Sequence, residues 1–195
     1  MKKTSLIQLL NVKYPIIMAP MFLVTNTNMM TEAMNSGVAA CIPALNFRTD
    51  EQFREAIQEI RTNTTSTGLG INLIVNKSNI KMKQQLKTCI ELGVDFIITS
   101  LGSPKDVIEQ CKPKGIKVFC DVVDEKFAKK VEELGADAVI AVNCNAGGHA
   151  GKLTPEEIIP LLNKHCNIPV ISAGGIGTKD GIKTIMSLGA VGLSI

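Results

Sequence analysis

Apolar residues along this chain come in short, near-continuous runs: Ile16–Ala19, Val38–Ala44, Leu69–Val75, Val94–Thr99, Ile116–Val123, Ala136–Val142, Ile168–Ala173 and Ala190–Ile195. The runs do not alternate with polar residues and are rich in β-branched side chains, as strands covered on both faces must be. Between them, apolar residues recur at helical spacing. Thr49–Arg61 offers Phe53, Ala56, Ile57 and Ile60, and Ile80–Leu92 offers Leu86, Cys89 and Ile90. Thr154, Pro155 and Glu157 read as a capped helix start, and Thr178 with Asp180 and Gly181 as a weaker one.

One junction repeats. Asn35-Ser36-Gly37-Val38, Glu91-Leu92-Gly93-Val94, Glu133-Leu134-Gly135-Ala136 and Ser187-Leu188-Gly189-Ala190 each pass from a helix-like segment through glycine into an apolar run, and Lys114-Gly115-Ile116 does the same. Glycine supplies the left-handed residue just past a helix, and a buried strand begins at once. Strand and helix therefore alternate about every 20 to 32 residues, eight strands in all, which is the signature of a parallel α/β fold. Eight units predict a closed (β/α)8 barrel, the TIM barrel, with seven covering helices and a helix over Thr4–Leu10 closing its bottom. The alternative is an open doubly wound sheet, but no GxGxxG follows the first strand and no acidic residue closes the second.

The 195 residues suit one sizeable core, so residues 1–195 read as one domain. The eighth run ends at Ile195, where the sequence stops. A covering helix buries about four apolar side chains, each contributing ~1.5–3 kcal/mol, a sum on the scale of a domain's whole ~5–15 kcal/mol. The sequence thus reads as a barrel truncated after strand eight, or covered on that flank by something else.

Composition narrows the function. The net charge is +3, with lysines scattered among glutamates as on solvated helix faces. With no Trp, one Tyr and no basic cluster interleaved with aromatics, nucleic acid is not an expected partner. No apolar run has the length of a membrane helix, and no secretory signal follows Met1-Lys2-Lys3-Thr4, so the expected location is cytoplasmic. The six cysteines form no CxxC pair and have no histidine at zinc-finger spacing; they read as reduced structural thiols, with no metal site.

In such a barrel the chemistry sits at the C-terminal ends of the strands. Those ends carry Ala19-Pro20-Met21, Gly70-Ile71-Asn72, Thr99-Ser100-Leu101-Gly102, Cys120-Asp121, Asn143 to Gly151, and Ser172-Ala173-Gly174-Gly175-Ile176-Gly177. His149 is one of two histidines and is flanked by small residues. An imidazole there can exchange a proton near neutral pH. Gly147 and Gly148 let backbone approach a ligand, and their N–H groups can receive an anionic oxygen. His165, near a helix end, reads as a favourable helix-terminus charge. Gly174-Gly175 stands where many barrels bind phosphate. Asn72 needs a partner if buried, either a ligand or a backbone group. Met21 packs on a ligand or fills the barrel mouth. Asp121 is either a helix-start residue or a pocket carboxylate.

Tyr14 to Met21, Gly70-Ile71-Asn72-Leu73, Ala146-Gly147-Gly148-His149-Ala150-Gly151 and Ile171 to Ile176 occur in that order. Together they resemble the nitronate monooxygenases, also called 2-nitropropane dioxygenases, over Ile7 to Ile195. Flavin-dependent enoyl-acyl-carrier-protein reductases share almost every one of these motifs. The resemblance implies FMN, held by Ala19, Pro20, Met21, Asn72, Gly147 and Gly148, with Gly174 and Gly175 at its phosphate. It implies His149 as catalytic base or as partner of an anionic substrate, with Ser100 beside the substrate. Two departures accompany it. Family members commonly place Gln or Glu seven residues before the histidine, where this sequence has Val142, and related chains continue past strand eight with a Gly-Thr phosphate loop and a helical region. The leading expectation is oxidation of alkyl nitronates, and of nitroalkanes, by oxygen, with a small-molecule substrate and no membrane. The alternatives are an enoyl-thioester reductase and a non-catalytic truncated barrel.

Overall fold

The computed structural model describes residues 3–195; Met1 and Lys2, the start of the expected domain, lie outside the described residues. The eight strands are β1 (Ile16–Met18), β2 (Ala39–Pro43), β3 (Leu69–Ile74), β4 (Phe96–Ser100), β5 (Lys117–Val122), β6 (Ala138–Val142), β7 (Val170–Ala173) and β8 (Gly192–Ser194). All pair in parallel and in sequence order, and β8 returns to β1 through Ile16↔Leu193 and Ile17↔Ser194, so the barrel is closed. Backbone bonds from Leu193 N to Pro15 O at 2.9 Å and from Ala19 N to Ile195 O at 2.7 Å extend that seam.

Among the described residues, one helix precedes the barrel, α1 (Leu6–Leu10). Seven follow the first seven strands: α2 (Thr27–Asn35), α3 (Asp50–Asn63), α4 (Met82–Glu91), α5 (Lys105–Cys111), α6 (Glu125–Glu133), α7 (Pro155–His165) and α8 (Lys179–Ser187). The repeated Gly junction sets where the ladders begin. Val38, Val94, Ile116 and Ala136 each send their backbone N–H back to the helix just ended, at Ala33 O, Cys89 O, Cys111 O and Val131 O. The first apolar residue after glycine thus closes the helix, and the ladder begins one or two residues later than the apolar run. Ile80 departs further. Expected on a helix, it lies before α4 and is 92 % exposed, because Asn79 Oδ1 accepts from Lys81 N (3.1 Å) and holds a turn there.

Two layers of core result. The outer one packs helices on the barrel, with Phe53, Ile57, Ile60, Leu86, Ile158 and Leu162 among its members. The inner one fills the lower barrel with Phe96, Phe119, Ile17 and Ile171. Glycine makes room for both large plugs. A Cβ on Gly70 would stand 2.2 Å from Phe96 Cζ, and one on Gly192 would stand 2.6 Å from Leu6 Cδ2. Leu6 and Leu10 come from α1, whose Ser5–Gln8 capping box satisfies its first turn. With α1 closing the bottom, the barrel is open only at the strands' C-terminal ends.

Candidate functional site

At that open end lies a cavity of about 880 Å³. Ala19, Pro20, Met21, Asn72, Ser100, Gly147, Gly148, His149, Gly174 and Gly175 all line it. Residues 19 to 175 converge there because every βα loop of a parallel barrel emerges on one face.

Three loops are shaped by side chains that are not part of the cavity lining. Asn143, fully buried at the end of β6, accepts from Asn145 N at 2.8 Å and donates through Nδ2 to Gly174 O at 3.1 Å. Its backbone oxygen takes the N–H groups of Ala146 and Gly151 at 3.2 Å each. Asn143 therefore gathers the His149 loop and ties it to the loop after β7. Gly174 is part of the same device: at φ 118°, its added Cβ would stand 2.5 Å from Ala146 N and from Asn143 Oδ1. Asn46 does the equivalent work for Met21, accepting from Leu23 N and donating to Thr25 O, each at 2.9 Å. That loop leaves Phe22 and Val24 exposed at the cavity rim.

The unspent backbone groups are equally informative. Among the described residues, the N–H groups of Gly147, Gly148 and His149 reach no protein acceptor, nor do those of Gly174 to Gly177 just ahead of α8. A Cβ on Gly147, Gly148 or Gly177 would meet nothing within 4 Å. Two stretches of backbone donors are thus left without a protein acceptor, an arrangement suited to anionic oxygens. His149 itself is exposed on the cavity wall.

Across the mouth runs a polar chain. Asn72 Nδ2 donates to Ile98 O at 3.2 Å and to Ser100 Oγ at 2.8 Å; Ser100 Oγ in turn donates to Asp121 Oδ2 at 2.6 Å. Asn72 is buried, so its need for a partner is met by a backbone carbonyl and by Ser100. Asp121 is a pocket carboxylate, which settles the choice its sequence left open; Asp124, three residues on, is the side chain that caps α6. Burial pushes the Asp121 carboxyl up to about 6, against the opposing hydrogen bond from Ser100. The pairing of Asp121 with Ser100 was not foreseen from sequence. Its signal was parity: Phe119 and Asp121 share the inward face of β5, as Ile98 and Ser100 share that of β4.

Elsewhere the side chains read as structural. His165, the last residue of α7, stands 3.3 Å from Glu125 Oε1. Five of the six free cysteines are buried, and burial pushes Cys111 and Cys120 up to about 12. Among the described residues no three metal-ligating side chains cluster, and no helix is long and apolar enough to cross a membrane.

Comparison with known proteins places this geometry. Residues 3–195 match the family described as nitronate monooxygenase. A probable nitronate monooxygenase of Staphylococcus haemolyticus is 30% identical over 238 residues, covering 98% of this chain and 66% of the relative. A Rhodococcus jostii protein, (3aS,4S,5R,7aS)-5-hydroxy-7a-methyl-1-oxo-octahydro-1H-indene-4-carboxyl-CoA dehydrogenase, is 26% identical over 193 residues, covering 99% of this chain and 54% of the relative. The chain thus spans between about half and two thirds of the length of these curated relatives. Among solved structures, FabK from Thermotoga maritima superposes with a TM-score of 0.91 at 30% identity, over 98% of this chain and 60% of that one. A nitroalkane oxidase from Streptomyces ansochromogenes shares the fold, with a TM-score of 0.89 at 20% identity over 98% and 67% of the two chains.

Proposed function

The chain belongs to the nitronate monooxygenase family, and from that premise we propose that it acts as an FMN-dependent oxidoreductase, oxidising alkyl nitronates with oxygen to a carbonyl compound and nitrite. The observation that carries the reading is the row of unspent N–H groups at Gly147, Gly148 and His149 on the cavity wall. A nitronate is a planar anion whose charge rests on two oxygens, and such donors match it.

The residues also fit the cofactor. A cavity of about 880 Å³ lies in the range of small-molecule and cofactor sites. The unpaired N–H groups of Gly174 to Gly177, ahead of α8, would receive a phosphate. Ala19, Pro20, Met21 and Asn72 would hold the ring. Bound FMN supplies the electron acceptor that the protein's own side chains lack. The chain's part is to orient and to exclude. Gly147 and Gly148, which the resemblance assigns to the cofactor, would also offer their unpaired N–H groups to the nitro oxygens, and Ser100 would stand beside the substrate. His149 would take the Cα proton of a neutral nitroalkane, or stabilise the charge of a nitronate that has already lost it. We read the enzyme as cytoplasmic, a reading supported by its free thiols.

The test compares nitroethane and ethyl nitronate in the FMN-loaded protein and in His149→Asn. Asparagine keeps a hydrogen bond and removes the base. Turnover of nitroethane should fall ~10²–10⁴-fold, and turnover of ethyl nitronate much less. Equal, small losses on both substrates would reduce His149 to a loop residue. Oxidation of a nicotinamide donor without nitronate consumption would replace this reading with enoyl-thioester reduction.

A further inference from the structure

Asp121 and His149 are the only ionisable side chains among the residues lining the cavity. Among the described residues no cation stands against Asp121, and its one hydrogen-bond partner is Ser100, which occupies Oδ2 and leaves Oδ1 free. On the neighbouring strand β6 the cavity wall is Ile140 and Val142, and on β4 it is Ile98 and Ser100. The other titratable groups close by are thiols, Cys120 on its own strand and Cys41 on β2, both buried and both pushed upward by desolvation first. A half-buried carboxylate without a counter-ion therefore shares a cavity with donors suited to an anion. Both negative charges would have to coexist in one cavity beside a carboxyl that is already partly desolvated, and the less costly outcome is protonation of one of them.

We propose that Asp121 makes anion binding in this cavity proton-coupled: the anion enters together with a proton, which resides on Asp121 Oδ1 and turns that oxygen from a repelling acceptor into a donor. No other bond forms or breaks. Ser100, fixed by Asn72 at 2.8 Å, keeps Oδ2 occupied and so directs the proton to the oxygen left free. The carboxyl is already poised for this, since burial has pushed it up to about 6 before any ligand arrives. Asp121 is then a specificity-determining residue. It penalises anionic substrates as pH rises above that value and leaves neutral ones untouched, so the ratio of nitronate to nitroalkane use is set by pH. This rests on the reading of the cavity as a nitronate site, and the test is chosen to need no turnover.

Nitrate is planar, isosteric with a nitronate head, inert toward a flavin and anionic at every working pH. Its binding to the FMN-loaded protein is followed by calorimetry in buffers of different ionisation enthalpy, from pH 5 to 8. At pH 7.5 the wild type should take up approximately one proton per nitrate, and affinity should fall about tenfold per pH unit above the Asp121 midpoint. In Asp121→Asn, uptake should drop by nearly one proton, and nitrate should bind at least tenfold tighter at pH 7.5. Ser100→Ala keeps the carboxyl but removes the hydrogen bond that favours its charged form, so proton uptake should persist with its midpoint moved upward. Equal proton uptake and equal affinity in wild type and Asp121→Asn would overturn the proposal, as would no nitrate binding in either between pH 5 and 8. Proton-coupled nitrate binding without nitronate oxidation would instead sink the proposed reaction and leave this inference standing.

Discussion

At the scale of single residues, the cavity holds its charge against the fold's interest. The Asp121 carboxyl is raised from an ordinary value of 3.8 to about 6, with desolvation as the larger cause. A carboxyl whose folded value is raised binds a proton more tightly when folded. Below pH ~4 both states are protonated and nothing is lost; stability then declines as pH rises through about 6 and stays lower above it. Asparagine in its place keeps an acceptor for Ser100 and carries no charge. Asp121→Asn should therefore unfold at higher denaturant at pH 7.5 by roughly 1–3 kcal/mol, with the gain vanishing near pH 4. A variant no more stable than wild type at pH 7.5 would mean that water screens the carboxylate in place. Stability gained by neutralising a functional group is the usual sign of a site that costs its fold something.

At the scale of elements, the loops that form the site are held by asparagines behind it. Asn143 joins the His149 loop to the loop after β7 through Gly174 O, and it does so from full burial. Asn143→Ala would leave the N–H of Asn145 without its acceptor and the two loops without their tie, at a cost of about 1–3 kcal/mol. The loss should be local: exchange should speed up at the hydrogen-bonded amides of Asn143 to Ala146, Ala150 and Gly151 while β3, β4 and β5 keep their protection. Uniform loss of protection would place Asn143 in the global core instead. Gly70 belongs to the same scale. Gly70→Ala would drive a Cβ to 2.2 Å from the Phe96 ring, and Phe96 packs on Phe119 with ring centroids 5.3 Å apart. Neither ring has room to yield without disturbing the other, so a loss of roughly 1–3 kcal/mol or more is expected from overpacking, read as a lowered urea midpoint.

At the scale of the whole molecule, one short helix completes the barrel. Leu6 is fully buried beneath β8, its helix is attached there by Leu6 N to Val191 O at 3.3 Å, and Gly192 exists to admit it. Leu6→Ala should cost ~2–5 kcal/mol, since the ring of strands around it is closed and cannot collapse inward. For a chain of this size that is a drop in Tm on the order of 5–15 °C. A change under a few degrees would show that the floor is filled by Phe96 and Phe119 without help from α1.

Much of this architecture was legible along the chain because it depends on local chemistry. Apolar runs of strand length, helical spacing between them and a glycine at each helix end are properties of neighbouring residues, and they dictated eight parallel strands and the face on which Asn72, Ser100, His149 and Gly174 would meet. What the sequence left open was decided by approach across the barrel. Asp121 reads alike as a helix start and as a pocket acid until β4 brings Ser100 to 2.6 Å from it. Asn143 is one polar residue after a strand until the β7 loop lies beneath it. Gly70 and Gly192 are two glycines among many until Phe96 and Leu6 arrive in the space a Cβ would fill. Periodicity along a chain encodes which face is buried, while the partner of a buried polar group is chosen by strand register and barrel closure, which exist only once the ends have met.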